Sequence, residues 1–263
     1  MPEISVITVV RNDQAGIIST INSVISQDYA HYEYTVQDGA STDVTAEIIR
    51  QYKEWIDVFT SERDCGIYDA MTRAIGKCTG DWVIFMNSSD SFAAPDVLSN
   101  FASNVRDEDQ IVFGQALDID TGKVHQYRSK DQIWLGSIFD HQACFARREL
   151  FEELPFDTDL RIAGDLDFFG RAHKRGVSFR EIDLLVAKKP FSVGASSDFM
   201  DRFKERKIVQ MRNFGDKYPV EDGLRRELLN HISRKFELKR ELLENCKLSE
   251  LEGLYDRLAS VAN

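Results

Sequence analysis

Trp82-Val83-Ile84-Phe85-Met86-Asn87-Ser88-Ser89-Asp90 is an apolar run that stops abruptly on a polar cluster. A run that short, bounded so sharply, reads as a buried strand with its end turned to solvent. Working backward, a helix is expected near Tyr68 to Lys77 and a strand over Ile56 to Thr60. Another helix should run to about Trp55, with Ser41 or Asp43 as its cap. Before it, Tyr32 to Gln37 reads as a strand. Ile17, Ile18, Ile21, Val24 and Ile25 carry helical spacing, and β-branched Ile4 to Val10 reads as a first buried strand. The order β-α-β-α-β-α-β calls for an α/β fold with a mostly parallel sheet and right-handed crossovers. Ligands in such folds bind beyond the carboxyl ends of the strands. The polar clusters fall there: Arg11-Asn12 after the first strand, Asp38 after the second, Asn87 to Asp90 after the fourth.

The second half is less regular. Ile111 to Gly114, Gln142 to Ala146 and Val177 to Ile182 read as strands, and a helix starts around Asp165. Past Ser197 the chain becomes rich in Lys, Arg, Glu and Leu. Leu224, Leu228, Ile232 and Phe236 recur every four residues, the stripe of a helix that packs on something. The chain therefore divides into a main domain, 1–197, and a helical extension, 198–263.

The 263 residues carry a net charge of −11. Residues 1–197 hold 19 Lys+Arg against 31 Asp+Glu, a net −12, and residues 198–263 hold 14 against 13, a net +1. So acidic a main domain argues against nucleic acid as a partner, which needs clustered cations. A nucleotide remains open, because a metal ion can bridge carboxylates to phosphates. The four cysteines, Cys65, Cys78, Cys144 and Cys246, form no CxxC or zinc spacing and read as reduced thiols. The first residues lack a basic stretch and a long apolar run, and no apolar run approaches a membrane span. A cytoplasmic protein is expected, with peripheral contact at the inner membrane face as its closest approach to lipid.

Asp64-Cys65-Gly66-Ile67-Tyr68-Asp69-Ala70-Met71 and Phe85-Met86-Asn87-Ser88-Ser89-Asp90 together resemble the family 2 glycosyltransferases with the GT-A fold. Within that family they look like the bacterial surface-polysaccharide (colanic-acid and O-antigen) subgroup, with its GIYDAM and FLNSGD stretches. Asp38-Gly39-Ala40-Ser41-Thr42-Asp43 resembles the D-G-x-S-x-D element. His141-Gln142 with Phe145 and Arg147-Arg148 resembles H-Q-x-x-F-x-R-R, and Gly164-Asp165-Leu166-Asp167 resembles the base element. The resemblance covers about residues 3–197.

It implies an inverting hexosyl- or N-acetylhexosaminyltransferase. Such an enzyme moves a sugar from a nucleotide-sugar donor, UDP favoured, to a saccharide or lipid-linked saccharide hydroxyl in surface glycan synthesis. It implies Asp90 as ligand of a divalent metal, Mn²⁺ or Mg²⁺, that steadies the leaving diphosphate. Family members often have a second carboxylate where this chain has Ser89, and a turn-capping Asp is the alternative for Asp90. Asp38 is expected on the nucleobase, with an Asx-turn as its alternative. Val9, Val10 and Arg11 line the base, Asp64 is expected on the ribose or base with a solvated loop as its alternative, Tyr68 and Asp69 shape the donor pocket, and Asn87, Ser88 and Ser89 complete it. Asp165 is the candidate general base, with Asp167 as competitor. His141, Gln142 and Ser196 are assigned to the acceptor and diphosphate side, Ser196 within a lid-like loop over 192–197. The extension is expected to pack on the main domain, to dimerise, or to lie on an anionic membrane. The other reading is a degenerate nucleotide-sugar-binding module. A dinucleotide oxidoreductase or P-loop kinase is excluded, because neither GxGxxG nor GxxxxGK[ST] occurs.

Overall fold

The computed structural model describes residues 1–125, 129–190 and 199–262. The four expected strands of the first half are β1 (Ile4–Val10), β2 (Tyr32–Asp38), β3 (Val58–Ser61) and β4 (Trp82–Phe85), all parallel, in the order β3-β2-β1-β4. Helices α1 (Gly16–Ile25), α2 (Thr45–Gln51) and α3 (Ile67–Ile75) connect them. Both faces of this sheet are covered. Ile4, Val6, Trp82 and Ile84 enter one apolar cluster, while Ile7, Val9, Val83 and Phe85 enter the other. Burial on both sides is why these strands read as unbroken apolar runs.

The remaining strands are β5 (Ser91–Phe92), β6 (Ile111–Asp118), β7 (Lys123–Val124), β8 (Cys144–Arg147) and β9 (Phe179–Lys189). They continue the path as β4-β8-β6-β9-β5, with β7 beside β6. Here the expectation of a mostly parallel sheet holds only in part: β8 runs antiparallel to β4 and β6, and β5 antiparallel to β9. The cause lies in the connections. A parallel neighbour needs a crossover helix, and between β6 and β8 the described residues offer only β7 and two 3₁₀ turns, Lys130–Leu135 and His141–Ala143. The chain therefore re-enters the sheet from the edge where β6 ended, and this sets His141 and Gln142 at the carboxyl ends of β1 and β4. Helices α4 (Val97–Asn104) and α5 (Arg148–Glu153) also lie in this half. Helix α6 (Gly164–Lys174) leads into β9, which pairs parallel to β6. Where β6 and β9 slip register, Gly114 lies so near Leu184 that an added Cβ would stand 2.5 Å from its carbonyl oxygen.

The extension forms α7 (Phe199–Phe214), α8 (Val220–Lys235) and α9 (Leu248–Ala262). The expected boundary after residue 197 lies outside the described residues, but the chain on either side shares one core. Phe203, Phe214, Leu224, Leu228, Ile232 and Leu251 belong to the same apolar cluster as Val83, Phe85 and Phe168. Of the three roles expected for the extension, packing is the one observed. No described helix is long and apolar enough to cross a membrane. Removing residues 199–263 would uncover that cluster. The shortened chain is expected to keep far-ultraviolet dichroism, lose near-ultraviolet dichroism and bind ANS. A cooperative melt near the full-length temperature would refute the shared core.

Candidate functional site

A cleft of about 810 Å³ opens at the carboxyl ends of β1 and β4. Its walls come from the Asn87–Asp90 turn, the His141–Ala143 turn, the start of α6, the end of β9 and the tail helices.

After β4 the chain turns tightly. Ser88 N–H donates to the Val9 carbonyl (3.2 Å), Asp90 N–H to the Asn87 carbonyl (2.9 Å), and Ser89 sits at φ +75°. A left-handed serine costs of order 1–3 kcal/mol, and here it is held by its surroundings. The hydroxyls of Ser88 and Ser89 both donate to Asp13 Oδ2, at 2.7 and 2.8 Å. Thr20 donates to the Asp90 carbonyl at 2.6 Å. Asp13 also lines the cleft. It directly follows the Arg11-Asn12 cluster after the first strand, and no local string names its partner.

Asp90 is 6% exposed and accepts from Gln142 Nε2 at 3.0 Å. Gln142 Oε1 accepts in turn from Lys189 Nζ (3.3 Å), which also pairs with Asp140 (3.1 Å). Burial pushes the Asp90 carboxyl up to about 6, against the pull of Lys189, His141 and Gln142. Among the described residues no group of three His, Cys, Asp or Glu could hold a metal. What the turn does offer is the desolvated Asp90 carboxylate and, three residues before it, the Asn87 amide oxygen, buried with no partner. Two hard oxygen donors leaving most of the shell to substrate phosphates and water is a set that suits Mg²⁺ or Mn²⁺.

Asp165 stands at the first turn of α6 with its side chain 21% exposed. Its Oδ2 is 3.1 Å from His141 Nδ1, and His141 Nε2 is 3.2 Å from Asn87 Nδ2. With the Asn87 amide donating, the imidazole proton is assigned to Nδ1 and donates to Asp165. Asp165 Oδ1 accepts from Leu166 N–H (2.8 Å). The Tyr68 hydroxyl lies 3.2 Å from that oxygen and 2.8 Å from the Ile162 carbonyl. Burial alone would raise the Asp165 carboxyl. The hydrogen bond from His141, the Leu166 amide and the Tyr68 hydroxyl outweigh it and hold the group below the usual carboxylate range. Burial and the neighbouring Asp165 push the Tyr68 phenol well up, so it stays protonated.

Arg11, Tyr68, Asn87, Ser88, Ser89, Asp90, His141, Gln142 and Asp165 thus line one cleft; Val9, Val10, Asp38, Asp64, Asp69 and Asp167 do not. Val9 and Val10 are buried, and their carbonyls accept from Ser88 and Gly39. Asp38 is fully buried, accepting from Ser41 N–H (3.1 Å), the Ser41 hydroxyl (2.5 Å) and the Ser61 hydroxyl (2.5 Å). Asp64 accepts from Gly66 N–H at 3.0 Å, and Asp69 caps Cys65 N–H and pairs with Arg73. Ser196, like its loop, lies outside the described residues. Lys189 and the tail's Phe203, Arg206 and Glu227, which the sequence did not single out, also line the cleft.

Asp167 is the clearest correction. It is 1% exposed, outside the cleft, and bound to Arg171 (2.7 Å), Arg212 (2.6 Å) and Asn213 (3.0 Å). It ties α6 to α7. Asp167→Asn leaves those guanidinium groups unbalanced at a buried point. Because both reach solvent, the expected loss is about 2 kcal/mol, below the range for fully buried pairs. A melt lowered by roughly 4–8 °C with nucleotide affinity intact is the result expected; a loss of turnover without loss of stability would return Asp167 to the chemistry.

A family model described as "Glycosyl transferase family 2" matches residues 5–178. The chain is 27% identical over 219 residues to a PGL/p-HBAD biosynthesis glycosyltransferase of Mycobacterium bovis, covering 76% of this chain and 82% of that one. Among solved structures it is similar to S. aureus TarS 1-349 in complex with UDP-GlcNAc. There the TM-score is 0.67 and the identity 19%, covering 88% of this chain and 73% of that one. It is also similar to the mannosyltransferase PcManGT of Pyrobaculum calidifontis in complex with GDP-Man and Mn²⁺. That TM-score is 0.68 and the identity 19%, covering 98% and 75%.

Proposed function

The chain belongs to glycosyl transferase family 2, and from that membership we propose an inverting enzyme. It moves a hexosyl or N-acetylhexosaminyl group from a UDP-sugar to a saccharide or lipid-linked saccharide hydroxyl. The observation that carries the reading is a pair of carboxylates in one cleft whose surroundings push them apart. Asp165 is held ionised, whereas Asp90 is buried and raised to about 6. Such a split separates a base from a charge-binding site.

In this reading the acceptor hydroxyl attacks the anomeric carbon on the face away from the diphosphate. Its proton passes to Asp165, the bond to the diphosphate oxygen breaks, and the configuration inverts. His141 and Leu166 N–H keep the Asp165 carboxylate oriented, and Tyr68 supports it from below. A Mg²⁺ or Mn²⁺ held at Asp90, with the Asn87 oxygen as its second protein donor, would neutralise charge on the departing diphosphate. Arg11 and the Ser88–Ser89 turn border the donor side; Phe203 and Arg206 of the tail border the other. The GDP-sugar alternative is kept open by the PcManGT complex and is decided by the donor screen. A role in surface glycan synthesis, at the inner face of the membrane, follows from the subgroup resemblance.

The test is a panel of UDP- and GDP-sugars with simple glycoside acceptors, with and without Mn²⁺. Metal-stimulated release of one nucleotide diphosphate with an inverted product supports the reading. Tight donor binding by calorimetry with neither transfer nor hydrolysis would favour the degenerate binding module, which Ser89 in place of a carboxylate motivates.

A further inference from the structure

We propose that Glu205, on the first tail helix, is a positioning residue for Asp165, fixing the loop from which α6 springs. The inference rests on the reading of Asp165 as base. The Glu205 carboxylate accepts three successive backbone N–H groups: Arg161 (2.9 Å), Ile162 (2.7 Å) and Ala163 (2.9 Å). Consecutive amides converging on one anion form a nest, and the carboxylate's charge strengthens each bond. The loop so held reaches Asp165 by two routes. Ala163 is two residues before it along the chain. The Ile162 carbonyl accepts from the Tyr68 hydroxyl (2.8 Å), which stands 3.2 Å from Asp165 Oδ1.

Glu205 is not what docks α7. That helix buries Met200, Phe203 and Val209, and its far end is tied to α6 through Arg212, Asn213 and Asp167. Losing the Glu205 carboxylate therefore frees the loop while the helix stays in place. A base displaced by about 1 Å costs on the order of 100-fold in rate. The donor side, built on β1 and the Asn87–Asp90 turn, is untouched.

The experiment compares Glu205→Ala, Glu205→Gln and Lys207→Ala in the full chain. Lys207→Ala breaks the α7–α9 bridge to Glu252 and is the purely structural control. Readouts are release of UDP from a panel of UDP-hexoses with methyl pyranoside acceptors, UDP affinity by calorimetry, melting temperature and the pH profile of kcat. Glu205→Ala is expected to lower kcat about 10- to 100-fold with UDP affinity unchanged. Glu205→Gln, which keeps one accepting oxygen, should restore part of it, and Lys207→Ala should lose stability without losing kcat. The titratable groups facing Asp165 are His141 and Tyr68. Loosening the Leu166 amide removes one of the bonds that hold the carboxylate down, so the acid limb of kcat should move to higher pH. Wild-type kcat and an unmoved acid limb in Glu205→Ala would overturn the proposal, as would a kcat loss matched by loss of UDP affinity or reproduced by Lys207→Ala. If the alanine variant does not fold, the glutamine variant is judged by the same readouts. Asp165→Asn run alongside separates the layers. If it is active, the base reading and this inference both fall; if it is inactive beside a wild-type Glu205→Ala, only this inference does.

Discussion

Asp165→Asn should bind UDP-sugar as the wild type does and transfer it about 10²- to 10⁴-fold more slowly, the range a lost general base covers. The separation of binding from turnover is the informative part. Asp165 shares the cleft with the Asn87–Asp90 turn but touches it only through His141, so the donor side loses no direct contact. The variant is not a silent isostere. In the wild type both carboxylate oxygens accept, Oδ1 from Leu166 N–H and Oδ2 from the imidazole. An amide has one accepting oxygen and must turn its NH₂ toward one of those donors. Asp165→Ala should therefore be run beside it, and the two are expected to agree within a few-fold. The pH profile adds a signed check. A group held below its ordinary value is charged throughout the neutral range, so protonation of Asp165 lowers wild-type kcat only as pH drops through that lowered value; the residual rate of Asp165→Asn should lack this limb. Turnover near wild type in either variant would remove Asp165 from the mechanism.

Legibility followed burial and chain distance. Strands β1 to β4 could be read because both their faces are buried, leaving uninterrupted apolar runs. Strands β5 and β7 span two residues each, held by backbone pairing that leaves no side-chain pattern. The sequence pattern of the last strand stops at Ile182, whereas the strand continues to Lys189, because its register slips beside Gly114 and a bulge breaks the alternation that marks a strand. Lys189, now beside Asp140 and Gln142, was hidden by that slip.

The same logic sorts the site. Asp90, His141, Gln142 and Asp165 stand at element ends in recognisable local strings. Asp38 is expected on the base because its string matches; that one of its partners is Ser61, at the end of another strand, is not visible in that string. Asp167 sits one turn-position from the candidate base, and its side chain is claimed by Arg212 and Asn213 from a helix 45 and 46 residues onward. Local spacing places a carboxylate on an element; only tertiary packing decides which way it faces and whether it is free to react.

Asp90 gives the second large effect, and its prediction has two opposed signs. Burial raises this carboxyl from an ordinary 3.8 to about 6, so the empty protein near pH 7 holds a charge its fold disfavours. The cost is about 3 kcal/mol as an order of magnitude. For an acid raised in the folded state, the favourable contribution is present at low pH and disappears as pH rises through about 6. Without metal, Asp90→Asn should therefore melt higher than the wild type at pH 7, and the gap should shrink as pH falls toward 4. Asparagine still presents an oxygen to Gln142 Nε2, so the packing is kept. With Mn²⁺ and UDP the order should reverse: the wild type gains stability in proportion to ligand binding, and the variant, lacking the anionic ligand, gains little and loses metal-dependent donor affinity. A site selected for folding alone would not keep a destabilising charge in a buried turn, so a gain in apo stability coupled to a loss of metal response is the signature of a carboxylate retained for a cation. If the variant is less stable than the wild type without metal, or still responds to Mn²⁺ and UDP, Asp90 is a structural residue and the metal, if used, is held elsewhere.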